Sequence, residues 1–293
     1  MKYSPSKLAP FLFVFLWSTG FIGVKYAIDY APPFYFVAIR MALASSILAL
    51  MALALTRQWG ITRTSFMHSS AIGLTLHAAY LGGCFYAVSI GMPAGITALI
   101  VSVQPVFVSI FASIFLGERM EVKRIAGLVL GLSGIVLVLA PRITGVSSDI
   151  TTRGVIACVV GLLGGTLGTL LQKKYGAGIP MLAGAAVQYL MTALVIGLIA
   201  IASEKLEIRW TGQFIFGLLW LVFALSVGAI LLLFFLLKNS SAASVSSLYY
   251  LVPPVTAVMA FLLFGEQVSP MAMVGTAITV TGVWLVTSQS VKN

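Results

Sequence analysis

Apolar residues along this chain neither alternate nor recur on a single helical face. They run continuously, cut by short clusters of charge, proline and glycine. Each run is close to the ~20 residues a helix needs to cross hydrocarbon. Ten are read: residues 8–28, 34–55, 69–90, 96–116, 125–140, 155–171, 181–202, 214–237, 245–264 and 271–287. They predict an all-α integral membrane protein of ten transmembrane helices. A barrel is excluded, because its strands would alternate apolar and polar positions. Short connections leave no room for an inserted soluble domain. The first run follows Lys2 and Lys7 as a leader would. It is longer than a signal h-region, however, and no small-x-small site follows, so it is read as a span.

The punctuation repeats. Shifting the sequence by 148 residues places Gly20 on Gly168, Lys25 on Lys173, Pro32 on Pro180 and Pro105 on Pro253. It also places Gly117-Glu118 on Gly265-Glu266, Gly127 on Gly275 and Gly134 on Gly282. Matches between proline or Gly-Glu positions are not coincidences of apolar composition. The expected units are residues 8–141 and 154–288, five spans each. An odd number of spans makes the second unit enter the membrane from the opposite side. Two inverted five-helix repeats around a central cavity are a secondary-transporter architecture, with substrate held near the midplane between the copies.

Composition narrows the class. The chain has 293 residues, 60% hydrophobic and only 8% charged, against about 25% charged in soluble domains. That excludes a soluble enzyme, a nucleic-acid binder and a disordered chain. The net charge of +10 would point to an acidic partner in a soluble protein, but here it reports orientation. With the N-terminus inside, eleven Lys/Arg fall on the cytoplasmic side and five on the other, with Arg40 left inside a span. The positive-inside bias therefore puts both termini in the cytoplasm. Cys84 and Cys158 lie in apolar runs without metal or disulfide spacing.

The fourth span ends Phe115-Leu116-Gly117-Glu118-Arg119 and the ninth ends Leu263-Phe264-Gly265-Glu266-Gln267. Each span has a proline inside it and a glycine-rich span after it. With Trp17-Ser18-Thr19-Gly20 in the first span, the chain resembles the drug/metabolite transporter superfamily over nearly its whole length. More narrowly it is similar to ten-span members built from two EamA-type repeats, including exporters of amino acids such as the YddG-type exporters of aromatic ones. The resemblance implies a basket-shaped bundle in the bacterial inner membrane with a cavity open to one side. The second half departs from the pattern, with Gly164-Gly165 where the first has Leu16-Trp17. The halves therefore cannot line a cavity identically.

Ionisable groups inside a membrane are costly and by default functional. All seven acids, Asp29, Glu118, Glu121, Asp149, Glu204, Glu207 and Glu266, lie at span ends or in loops. Small multidrug antiporters, which resemble single halves of this fold, use a membrane carboxylate, so a carboxylate-driven cation antiporter is disfavoured. Arg40 and His77 remain, with Lys25 near a span end. His77 shares a helix face with Tyr80 and is read as a substrate ligand or proton carrier, against a packed neutral histidine. Arg40 is read as a carboxylate receptor or a snorkelling base. Trp17, Tyr249 and Tyr250 offer apolar area with a polar tip, and Gln104 precedes Pro105. These seven residues, Trp17, Arg40, His77, Tyr80, Gln104, Tyr249 and Tyr250, are the expected substrate-binding set. Pro105, Pro253, Pro254, Gly20 and Gly168 are the expected hinges, since prolines free carbonyls that only protein or a wet cavity can satisfy. Glu118 is expected to pair with loop bases or cap a neighbouring helix. The glycine faces of the fifth and tenth spans are expected to pack inside one chain.

No Walker loop, nucleophile elbow or metal spacing occurs. The expectation is a non-enzymatic exporter, working as a monomer without cofactor or metal, whose partners are a small-molecule substrate and membrane lipids. An exchanger of sugar phosphates or nucleotide sugars would need several bases facing the cavity. A toxic-cation pump would need a carboxylate there. An intramembrane enzyme would need a catalytic pair, and a lipid scramblase a polar groove facing lipid.

Overall fold

Every described element is a helix. The computed structural model describes residues 5–56, 59–92, 94–143, 150–264 and 269–288, and no strand occurs among them. Among the described residues, nine helical stretches are long and apolar enough to cross a membrane: Pro33–Leu55, Arg63–Ser89, Ile96–Leu116, Val122–Ala140, Thr152–Gly178, Met181–Ser203, Gly212–Asn239, Ala242–Leu263 and Pro270–Thr287. The expected first span differs. It is two consecutive helices, Pro5–Ser18 and Gly20–Ala27, meeting at Thr19. Thr19 Oγ1 donates back to the Leu16 carbonyl at 2.6 Å and accepts from Trp220 Nε1 at 3.1 Å. A threonine bonded to its own preceding turn bends a helix, and here a side chain from the other half holds the bend.

Helix starts are capped as their sequences dictate. Thr62, Thr151, Thr211, Ser241 and Ser269 each accept from a backbone N–H three residues on. Departures from regular helix then recur at the sequence offset. Wide π-helical stretches occupy Gly73–Ala79 and Leu221–Ala229, and 3-10 turns occupy Ile28–Tyr30 and Gly176–Gly178. Their starts are separated by the 148 residues that align the halves. The fourth span breaks between Ala94–Val101 and Gln104–Leu116, and the ninth at the 3-10 turn Leu248–Leu251.

The two most extensive helix interfaces join equivalent members of the halves: Pro33–Thr56 with Met181–Ser203, and Val122–Ile143 with Pro270–Thr287. In the second of these a Cβ on Gly127 would stand 2.7 Å from the Gly282 carbonyl, and one on Gly134 would stand 2.6 Å from that of Gly275. Backbone contact this close needs glycine on both sides, and it lies within one chain, as expected.

Acids tie one half to the other. Gly117 ends its helix at φ 69°, a left-handed position that suits glycine. The next residue, Glu118, accepts from the Ala242 and Ala243 backbone N–H groups at 2.7 and 3.4 Å and pairs with Arg124 at 3.8 Å. Its repeat counterpart Glu266 lies outside the described residues. Glu204 likewise accepts from Phe34 and Tyr35 N–H at 2.9 and 2.8 Å. Both carboxylates sit on orphan donors at a helix N-terminus, where the dipole favours them. Glu118→Ala is expected to cost about 1–3 kcal/mol, read as a lowered melting temperature in detergent, with Glu118→Gln retaining part of it. An unchanged melting temperature would remove the tie between halves.

Candidate functional site

Between the halves lies a cavity of ≈ 240 Å³, smaller than the ~300–1,000 Å³ of drug-sized sites and suited to one small metabolite. Six of the seven expected residues line it: Trp17, Arg40, His77, Tyr80, Gln104 and Tyr249. They come from five different spans and meet because the helix irregularities lie at cavity depth. His77 sits in the π-helical stretch Gly73–Ala79. Tyr249 sits in the 3-10 turn, and Gln104 opens the helix after the Ser102-Val103 turn. π-helical turns often mark functional positions.

The seventh, Tyr250, is elsewhere. It is fully buried, with its ring against Gly131, where an added Cβ would come within 2.4 Å of Tyr250 Cδ2. Adjacent residues on a helical turn point in different directions, so only one of the Tyr249-Tyr250 pair can face the cavity.

One wall is aromatic. Trp17 and Tyr249 meet edge to face with centroids 5.1 Å apart, and Phe13 packs on both at 5.3 and 5.5 Å. Another part of the lining is polar. Arg40 Nε donates to Ser226 Oγ at 3.0 Å, and Tyr189 OH donates to the Ser226 carbonyl at 2.8 Å. The His77 ring lies 4.8 Å from that of Tyr189. His77 Nε2 is buried without a hydrogen-bond partner among the described residues, as is Gln188 Oε1. An unpaired buried polar atom is expensive; of these two, His77 lines the cavity, whereas Gln188 lies outside its lining and stands as a weak side-chain partner of the His77 ring. Gly165, also in the lining, occupies the repeat position of Trp17. A Cβ there would press on Tyr80 Cδ2 at 2.9 Å and Gln104 Oε1 at 3.0 Å. The two repeat positions thus bring an indole and a bare glycine to one cavity lining.

The expected hinges divide. Gly20 follows the Thr19 bend, and Pro105, Pro253 and Pro254 occupy the first turns of Gln104–Leu116 and Val252–Phe264. There a missing N–H breaks no helical bond, so the prolines begin new helices rather than kink old ones. Gly168 is no hinge. It lies inside the unbroken helix Thr152–Tyr175, where an added Cβ would sit 2.4 Å from the Leu76 backbone nitrogen. It is a crossing point.

Lys173, the partner of Lys25 in the repeat, donates to the Leu237 and Ser240 carbonyls at 2.7 and 2.6 Å and so caps a helix C-terminus. The Lys25 side chain lies outside the described residues. Tyr189, Ser226 and Gly165 were not expected in the site. One signal pointed toward them. Carrying Arg40 through the repeat lands on Gln188, next to Tyr189, and carrying Trp17 lands on Gly165.

Residues 7–140 and 152–288 match the EamA-like transporter family. The chain is 28% identical to an uncharacterized transporter, YvbV, of Bacillus subtilis (strain 168), over 99% of this chain and 95% of that protein. It is 27% identical to a "probable terminal-alkyne amino-acid exporter" of Streptantibioticus cattleyicolor, over 98% and 94%. It is 23% identical to a "probable amino-acid metabolite efflux pump" of Salmonella typhimurium, over 94% and 92%. One solved crystal structure superposes with a TM-score of 0.83 at 21% identity, covering 99% of each chain, a likeness of fold.

Proposed function

The chain belongs to the EamA-like transporter family, and from that premise we propose that it exports small amphipathic metabolites by alternating access. Amino acids with aromatic or other neutral side chains are the first substrates. In this reading it is a ten-span monomer of the bacterial inner membrane with both termini cytoplasmic. Residues 8–141 and 154–288 form inverted repeats that rock against each other at Gly20, Pro105, Pro253 and Pro254.

The observation that carries the reading is the cavity itself. It gathers an indole, a phenol, a guanidinium and an imidazole around a volume for one small solute. Two relatives whose names include amino-acid efflux or export add support. No carboxylate lines the cavity among the described residues, which favours movement down a concentration gradient over carboxylate-driven proton exchange.

The test is flux of radiolabelled amino acids in proteoliposomes, with and without a pH gradient. Phenylalanine is expected to cross faster than in protein-free vesicles. His77→Ala is expected to lose about tenfold or more, the order of one hydrogen bond to a charged group. Exchange of phosphate esters with no amino-acid flux would overturn the proposal.

A further inference from the structure

The charges around the cavity are one-sided. Of the described acids, Asp29, Glu121 and Glu207 are exposed, while Glu118 and Glu204 are committed to backbone N–H groups at helix starts. Asp149 and Glu266 lie outside the described residues. Arg40 is buried at 8% exposure, lines the cavity and has no ion pair among the described residues. Among the described residues its one hydrogen bond runs from Nε to Ser226 Oγ, and the terminal N–H donors have no acceptor there. A guanidinium offers five donors in a fixed fork that matches a carboxylate. A buried cation without a counter-ion is costly and calls for one.

The two ends of an amino acid would therefore be treated unequally. Its carboxylate meets a fixed opposite charge held in place through Ser226 and Tyr189. Its ammonium meets only neutral groups, the Trp17 and Tyr249 faces and the Gln104 amide. A cation over an aromatic face is attracted, but less than a charge pair shielded from water. A dianionic phosphate ester would leave a second charge unpaired beside Arg40, the one permanently charged base in the lining among the described residues.

On the reading of the chain as an amino-acid exporter, we infer that this cavity selects one carboxylate on an apolar body and does not require the α-ammonium. Hydroxy and keto acids with aromatic or branched side chains are then substrates alongside the amino acids. Amines lacking a carboxylate are excluded.

The experiment compares phenylalanine, 3-phenyllactate and phenethylamine, which share the ring, in proteoliposomes clamped with potassium and valinomycin. Leak through protein-free vesicles is subtracted. Phenyllactate is expected to cross within about tenfold of phenylalanine and to compete with it, while excess phenethylamine leaves phenylalanine flux unchanged. If phenylalanine crosses but phenyllactate neither crosses nor competes, the inference is overturned and the exporter reading stands. Competition by phenethylamine equal to that of phenyllactate overturns it in the same way. If none of the three crosses or competes, both fall. Arg40→Gln is expected to lower phenylalanine and phenyllactate flux together by tenfold or more, with Arg40→Lys recovering part. Undiminished flux in Arg40→Gln would also overturn the inference. Should that variant fail to elute as a single species, the three-compound comparison on the parent protein decides alone.

Discussion

Gly168→Val is expected to abolish recovery of folded protein, while Gly178→Ala leaves it unchanged. Gly168 lies where helix Thr152–Tyr175 crosses the π-helical stretch Gly73–Ala79. An added Cβ would stand 2.4 Å from Leu76 N and 2.5 Å from Leu76 Cα. Those are backbone atoms and cannot rotate away, so the helices must separate. Overpacking a well-fitted core already costs about 1–3 kcal/mol where side chains can adjust. Inside a membrane no hydrophobic force presses helices together, so close packing is most of what joins them. Gly178, by contrast, has nothing within 4 Å of an added Cβ and no left-handed φ. Size-exclusion profiles and melting curves in detergent make the comparison. A Gly168→Val protein that elutes and melts like the parent would show that this crossing does not hold the halves.

Trp17→Ala is expected to lower flux of aromatic substrates ten- to a hundredfold while flux of aliphatic ones falls much less. The indole is half-buried and forms the cavity's apolar wall with Tyr249 at 5.1 Å. Stacking of a ligand ring against it is worth about 0.5–1.5 kcal/mol beyond area burial. Adding the lost apolar contact brings the loss to roughly 1.5–3 kcal/mol, which converts to that range at about 1.4 kcal/mol per tenfold. Because its repeat counterpart is Gly165, no second indole compensates. The ratio of phenylalanine to valine flux is the measurement. An unchanged ratio would take Trp17 out of substrate selection, and Trp17→Phe is expected to keep most of it.

Much of the membrane fold was legible because hydrocarbon imposes one rule, that a run of about 20 apolar residues becomes a helix. Local bonding at Thr19 divides one such run into two consecutive helices. The repeat was legible too, since proline and Gly-Glu positions survive in both halves, and the π-helical stretches recur at the same offset. Six residues that line the cavity could be named because polar and aromatic groups inside spans stand out against apolar neighbours. Tyr250 failed because residue type says nothing about which way a side chain points when a helix tightens to a 3-10 turn. The close crossing at Gly168 was not legible because a glycine reads alike as a hinge and as a crossing point, and only the partner helix shows the contact. Tyr189 and Ser226 were missed since each is unremarkable alone and matters through its bonds.

The sequence by itself determined that this is a multi-span membrane protein of two related halves with almost no charge in its interior. Those properties follow from composition and order, which the bilayer reads residue by residue. Only the tertiary structure decided that the polar groups converge, that Arg40 stands without a counter-ion among the described residues, and that an indole and a bare glycine share one cavity lining. Such relations join residues up to 232 positions apart, as in the Trp17–Tyr249 contact. They depend on helix rotation, bending and close approach, which local pattern leaves open and packing alone resolves.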